Sequence, residues 1–447
     1  MQESEEIADV EHEHVVSRVA SIDVAKASGM VCTRLPHPTI ADRRVTKVWQ
    51  MSTTTNAILE LADHLAGVDV ERVVVESTSD FWRPFVYLLE AAGVPVWLVN
   101  AHDVKNVPGR PKTDKLDAVW LAKLAERGML RPSFIPPPEI RVLRDYTRLR
   151  VDLVRERTRH AQRLEKLLED ALIKLSTVAT DIMGVSGRSM VEALIAGERD
   201  PQVLAGLALG RMRTKHAALI QALTGRFDDH HAELARMLLD SYDALNTQID
   251  RLSVRIDDLI SQLPAAAAPT PDDQDDNPAH TADLPLPVIA RLDEIPGIAP
   301  RAAQIIIAEI GLDMTRFPTA DHLVSWAKLS PRTIQSGAKS HGGRTGKGNP
   351  YLKGALGEVA AAAAKTNTFL GARYQRVVKR RGKLKALVAV ARSILVIIWH
   401  LLADPTTRYH DLGVNFHNDR LSIQRRTRSY IQQLRSLGYD VTLTPAS

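Results

Sequence analysis

Two interleaved series of apolar residues, each returning every seventh position, run through the middle of this chain. Tyr242, Ile249, Ile256 and Leu263 form one, and Leu238, Leu245, Leu252 and Leu259 the other. Two apolar positions per seven draw a single stripe along a helix, and that stripe has to be buried against a second helix. Upstream, Val154, Ala161, Leu164, Leu168, Ala171, Leu175 and Val178 fall at compatible spacing. Residues 139–263 are therefore expected to be long helices in a coiled-coil region, able to pair as an antiparallel hairpin. At 447 residues the chain is too long for one compact core, so the helical span is expected to separate two or more domains.

Before that span, residues 16–128 alternate strand and helix signals. β-branched runs at 18–22, 30–34 and 43–50 read as three successive strands, and a helix follows over 54–66 with Leu59, Leu61 and Leu65 on or near its inner face. Strands at 72–75 and 94–99 bracket a helix over 82–92, and a last helix covers 114–127. Three meander strands followed by βα alternation predict a mixed sheet covered by helices, the layout of a ribonuclease H-like domain.

Within that domain four carboxylates stand out. Asp23 lies in Ser21-Ile22-Asp23-Val24 and Glu76 closes Val73-Val74-Val75-Glu76, while Asp114 and Asp117 open the last helix at i, i+3 spacing and so share a face. Strand ends and a helix face can converge on one point. Oxygen ligands without a His or Cys companion suit Mg²⁺ or Mn²⁺, and two such ions can stabilise both the attacking and the leaving oxygen of phosphoryl transfer. A single Asp at a strand end is ordinarily a turn residue or a helix cap. It is the set of four that points to chemistry on phosphodiesters. The lone cysteine, Cys32, excludes a disulfide framework and a cysteine zinc cluster and fits a reducing cytoplasm. Residues 1–15 are acidic, have no apolar core and are expected to be a disordered tail, neither a secretory signal nor a transit peptide. The most apolar stretch, 387–402, is interrupted by Arg392 and His400 and reads as a buried helix, so no membrane is expected.

Net charge is only +5, but residues 331–447 carry 20 Lys and Arg against 5 Asp and Glu, leaving 38 basic and 48 acidic residues in the first 330. A basic end of this kind is expected where phosphate backbones are bound through counterion release. The helix after 139 is rich in arginine, including Arg141, Arg144, Arg148, Arg150, Arg155, Arg157, Arg159 and Arg163; nucleic-acid contact and a salt-bridged surface are both compatible with it. Residues 264–287, with Ala265 to Ala268, prolines and five Asp, form an acidic linker that cannot bury a core. Beyond it, Ile295-Pro296-Gly297-Ile298 resembles a helix-hairpin-helix turn, with Ala299 in place of the usual second glycine. A Gly- and Lys-rich loop follows Ser336-Gly337, with Gly342, Gly343, Arg344, Gly346, Lys347, Gly348 and Asn349. Glycines let backbone approach a phosphate, and Arg or Lys neutralise it. A serine in that setting can be a cap, a passive phosphate contact or a nucleophile.

These motifs, in this order, resemble the insertion-sequence transposases of the DEDD type, which join a RuvC-like N-terminal domain to a serine-bearing C-terminal transposase domain and include recombinases guided by a bridge RNA. The resemblance rests on Ile22-Asp23-Val24-Ala25-Lys26, Glu76-Ser77-Thr78, Lys112-Thr113-Asp114-Lys115-Leu116-Asp117-Ala118, Ile295-Pro296-Gly297-Ile298, Pro331-Arg332 through Ser336-Gly337, Lys347-Gly348-Asn349 with Leu352, and Arg380-Arg381-Gly382-Lys383. It implies a mainly α-helical C-terminal domain over 288–410, followed by a basic tail, 411–447. It implies that Asp23, Glu76, Asp114 and Asp117 bind metal, and that Ser336 attacks DNA to form a phosphoserine link. Arg332, Arg344, Lys347, Lys353, Arg380, Arg381 and Lys383 are the nucleic-acid-binding candidates. Expected partners are element and target DNA, a guide RNA and further copies of the chain, in a bacterial cytoplasm and at the nucleoid. Two positions depart from the family pattern: Ser21 and Ser79 stand where glycine is usual. A hydrolytic nuclease or resolvase using the tetrad alone, and an inert nucleic-acid scaffold, are the rival readings.

Overall fold

The computed structural model describes residues 16–41, 43–76, 79–100, 113–268, 286–331, 333–336, 339–343, 345–416 and 423–443, with backbone alone in 333–342 and 423–426. The expected acidic tail, most of the acidic linker, Arg332 and Arg344 lie outside these residues. The chain divides into two compact units, Met1–Ile135 and Pro136–Ser447.

In the first unit, β1 (Val19–Val24), β2 (Ser28–Pro36) and β3 (Arg44–Ser52) form an antiparallel meander. Helix α1 (Thr55–Gly67) leads to β4 (Arg72–Glu76), parallel to β1, and α2 (Trp82–Ala91) leads to β5 (Val96–Val99), parallel to β4. Helix α3 (Asp114–Glu126) completes the unit, and the sheet order is β3-β2-β1-β4-β5. This is the expected mixed sheet. β5 begins at Val96, two residues later than expected, because Pro95 has no N–H to give the ladder.

Both faces of the sheet are covered, and strand parity says by what. Ala20, Ile22, Val24, Val73 and Val75 pack with Ile58, Leu61, Ala62 and Leu65 of α1 and with Phe85 and Leu89 of α2. Leu59, expected on the inner face of α1, is 41% exposed, since one helical step from Ile58 turns it about 100° away. On the other face Val19 and Cys32 meet Ala118 and Ala122, and Val74 and Val99 meet Leu121, Leu124 and Ala125, so α3 covers that side. Burial pushes the Cys32 thiol up to about 11, with Arg34 and Lys123 acting against it, which makes it a packing residue and no nucleophile.

Among its described residues the second unit is helical apart from one hairpin. Helices α4 (Pro138–Asp170) and, later, α8 (Asp229–Ser261) run 33 residues each and pack antiparallel, as the 2.8 Å bond from Arg157 Nη1 to Asn246 Oδ1 and the shared core of Leu164, Leu168, Ala235 and Leu239 require. Ile249 and Ile256 of the first heptad series are buried, whereas Leu245, Leu252 and Leu259 of the second are half-buried. The first helix ends earlier than its apolar spacing predicts. Leu172 adopts φ 61°, and Ala171 and Leu175 leave the helix to join a small cluster built on α5 (Val185–Ile195), α6 (Pro201–Gly206) and α7 (His216–Leu223). Their spacing continues the core of Leu164 and Leu168 beyond the helix end rather than lengthening the helix.

After the linker come α9 (Val288–Asp293), α10 (Pro300–Ile310) and α11 (Ala320–Trp326), then the antiparallel pair β6 (Thr333–Ser336) and β7 (Lys339–Gly342). Helices α12 (Pro350–Ala363), α13 (Phe369–Arg381), α14 (Lys383–Ala403) and α15 (Ile423–Ser436) follow. By length and composition α14 could cross a membrane, but it buries Val390, Ile394, Leu395 and Ile398 against α11 and α12, as a core helix does.

Candidate active site

The acids of the first unit are positioned by register. Ile22 of β1 pairs with Val75 of β4, so Asp23 and Glu76 come level one residue further along, on strands about 4.8 Å apart. Parity puts Glu76 on the face of Val74, and Asp23 on the face of Val19 and Ser21, which is the α3 face for both.

Helix α3 is fixed to that face at two places. The Ser21 hydroxyl donates to the Ala118 carbonyl at 2.6 Å. At the far end the buried Glu126 carboxylate takes Arg34 Nε at 2.8 Å and Arg44 Nε at 2.5 Å, while its carbonyl accepts from Val16 N. Ser21 thus lies opposite Ala118 and Val16 opposite Glu126, so α3 runs antiparallel to β1. From Ser21 to Asp23 is about 6.6 Å of strand, and from Ala118 back to Asp114 is about 6 Å of helix, in the same direction. The first turn of α3 therefore overhangs the end of β1. Thr113 caps that turn, its Oγ1 accepting from Leu116 N, and Asp114 and Asp117 are both in it. All four acids sit at one corner of the unit.

The donor set fits a hard cation. Glu76 is 5% exposed and, among the described residues, its carboxylate meets no hydrogen-bond or ion-pair partner, a costly arrangement for a buried anion without a counter-charge. Asp23, Asp114 and Asp117 add only oxygen ligands. Ser79, at the family's glycine position, has φ 49°, the left-handed backbone that glycine adopts without strain.

A tighter group of ligand-type side chains lies in the second unit: Asp170, His230 and His231, with ligand atoms within 4.8 Å of one another. It is better explained as a helix start. His231 Nδ1 accepts the Asp228 N–H at 3.1 Å in a reciprocal capping box, which puts the ring proton on Nε2, facing Asp170 Oδ2 at 3.4 Å. No lone pair on that ring is left for a metal.

Ser336 ends β6, where it pairs with Lys339 to close the hairpin. The Gly-rich segment after it is held from below. Lys353 Nζ donates to the Gly346 carbonyl at 2.8 Å, so this candidate phosphate ligand also braces the loop. Gly348 has φ 59°, and a Cβ there would come within 2.8 Å of the Ala327 carbonyl, so glycine is required. Asn349 caps α12 through Tyr351 N and Leu352 N and donates its Nδ2 to Glu309 Oε2 at 2.5 Å. Glu309 is fully buried. Arg148 binds it with two parallel 2.8 Å bonds, and Arg144 caps the end of α10 through the Ala308 and Glu309 carbonyls.

This carboxylate escaped the sequence reading because it lies in the apolar run of α10; its signal was a pair of arginines one turn apart on another helix. Three of the other arginines of α4 are likewise paired internally: Arg155 with Asp152, Arg159 with Glu156 and Arg157 with Asn246. The salt-bridged surface is the better account of them. Lys347 is exposed, as are Arg380, Arg381 and Lys383, which surround Gly382 at the bend between α13 and α14.

The fold and its acidic corner define an α/β unit followed by a helical one, and comparison with known proteins supplies the family. Residues 20–173 match a sequence profile of DEDD-type IS110 elements described as a transposase, and residues 289–375 match one described as the transposase IS116/IS110/IS902 family. A Sinorhizobium fredii protein that carries a transposase name, y4rJ, is 28% identical over 382 residues, which is 76% of this chain and 83% of that protein. The 43.6 kDa protein of insertion element IS110 in Streptomyces coelicolor is 35% identical over 123 residues, 27% of this chain and 30% of that protein. The chain belongs to the IS110-type transposases.

Proposed function

We propose that this protein is a DNA transposase that moves an insertion sequence by cutting and rejoining strands, through the acidic corner and Ser336. The observation that carries the reading is the register that levels Asp23 with Glu76 beneath the first turn of α3. The strand order β3-β2-β1-β4-β5, with its three-strand meander, is that expected of a ribonuclease H-like, RuvC-type domain.

Asp23, Glu76, Asp114 and Asp117 would hold Mg²⁺ or Mn²⁺, which when bound stabilises charge on phosphoryl oxygens. The Ser336 oxygen would bond to phosphorus as one sugar oxygen leaves with a proton, storing the phosphodiester energy in a phosphoserine link that the reverse attack then releases. The exposed cations at 380–383 would neutralise backbone phosphates. An RNA guide would choose sequence by pairing, and the half-buried heptad series on α8 would join copies of the chain in a coiled coil.

The test is a suicide substrate nicked beside the cleavage point. The wild-type chain with Mg²⁺ should leave DNA attached to a peptide containing Ser336. Cleavage with no adduct would replace this reading with a hydrolytic nuclease acting through the acids alone, and neither cleavage nor metal dependence would leave a binding scaffold.

A further inference from the structure

A cavity of about 410 Å³ opens in the second unit between α4, the turn before α10, and α12. Its wall is largely apolar, with Val151, Val154, Ala302, Ile305 and Val359 among the lining residues. Its charge is not balanced. Arg150, Arg155 and Arg301 line it against one acid, Glu358, which is exposed at the rim.

Arg150 is the anomaly. It is 4% exposed, and among the described residues its Nη2 finds no hydrogen-bond partner. A buried guanidinium with an unmade bond is costly, and the cost is normally met by a carboxylate, as Glu309 does for Arg148 two residues earlier. Here Asp257, the acid whose charge reaches Arg150, is taken by Gln304 Nε2 at 2.5 Å, and burial and then the neighbouring Arg301 pull the Arg150 guanidinium below its ordinary range. Helix α10 starts beside it with Ala299 as N-cap, which supplies no side-chain acceptor to the first turn. The turn is pressed tightly into place. Gly297 has φ 91°, and a Cβ there would lie 2.5 Å from the Val359 carbonyl.

We propose that this cavity binds one nucleotide of a nucleic-acid strand, with its phosphate on Arg150 and Arg301 at the uncapped start of α10 and its sugar against the apolar wall. An anion completes the unmade bond of Arg150. A bare phosphate would leave the apolar wall wet, whereas a nucleotide covers it, and a volume of about 410 Å³ admits a nucleotide of a single strand rather than a duplex. The proposal rests on the nucleic-acid reading above. DNA and RNA present the same phosphate, and the experiment separates them.

Fluorescein-labelled single-stranded DNA and RNA of one sequence are titrated against the full chain, the Arg150→Met variant and the cavity-filling variant Ala302→Phe, over a range of salt. Arg150→Met removes an unpartnered buried charge, so its melting temperature should be unchanged or higher. Its affinity for one of the two strands should fall about tenfold, and the slope of log K against log salt should drop by about 0.7, the value for one phosphate contact on a single strand. Ala302→Phe should weaken the same strand. Loss confined to DNA or to RNA identifies the occupant. If both variants bind both strands as the wild type does, the cavity proposal is wrong while the transposase reading stands; if the wild type binds neither strand, both fall.

Discussion

The acidic corner and the serine hairpin reach their positions by different means. In the first unit every candidate acid is delivered by a regular element: two by parallel strands in fixed register, and two by the capped first turn of a helix tied to the sheet at Ser21 and Glu126. Ser336 ends a four-residue strand in a two-stranded hairpin, and a hairpin alone is marginally stable. Its order must be supplied by neighbours. They include Lys353 on Gly346, the tight backbone at Gly348, and Glu309 fastening Asn349 to Arg148. A site built on register tolerates change around it; a site built on a braced loop inherits the stability of its braces.

Removing the acids should have the largest effect on activity. Asp114→Asn or Asp117→Asn keeps size and the capped turn but weakens the ligand, and strand transfer should drop to background in either variant, with folding and DNA affinity retained. Full transfer by both variants would take α3 out of the site. The serine comes next. Ser336→Ala should abolish the covalent adduct, whereas Ser330→Ala and Ser340→Ala should retain it. An adduct persisting in Ser336→Ala would move the nucleophile and dissolve the contrast between the two regions.

The braces should read out as stability and, through it, activity. Glu309→Ala leaves Arg148 half-buried without its partner and removes an acceptor from Asn349, which should cost about 3–5 kcal/mol in denaturant unfolding of the full chain. Because α10 and α12 both anchor here, the adduct yield of the folded fraction should fall as well. Glu309→Ala with undiminished stability would show that the loop is ordered by something other than this carboxylate.

What could be read beforehand follows the same division. Strand parity and helix period have short, local signatures, so Asp23, Glu76 and α3 were predictable within a residue or two. The braces have none. Glu309 lies 161 positions from Arg148 and inside an apolar run, and nothing local marks it as paired. Arg150 looked like its neighbours in an arginine-rich helix, and only packing separates an arginine whose buried Nη2 has no acceptor among the described residues from those bound to Glu309, Asp152 and Glu156. The apolar spacing over-extended the first helix, because Leu175 reaches the core it shares with Leu164 and Leu168 from the chain beyond Leu172, not from the helix.

The smallest expected effect tests whether the acidic corner is as rigid as its register suggests. Ser79 stands three residues after Glu76 with φ 49°, in the region where an L-residue with a Cβ costs roughly 1–2 kcal/mol. Ser79→Gly removes that strain and gives back part of the gain as unfolded-chain entropy, so a net stabilisation of about 0.5–1 kcal/mol is expected in urea unfolding. Ser79→Val, β-branched at the same backbone angle, should lose about 1 kcal/mol or more. Activity separates two ways of holding Glu76. If β4 alone fixes the carboxylate, the glycine variant gains stability and keeps wild-type transfer. If transfer falls in Ser79→Gly while stability rises, the strained turn is helping to hold Glu76, and the first unit then depends on a brace as the hairpin does.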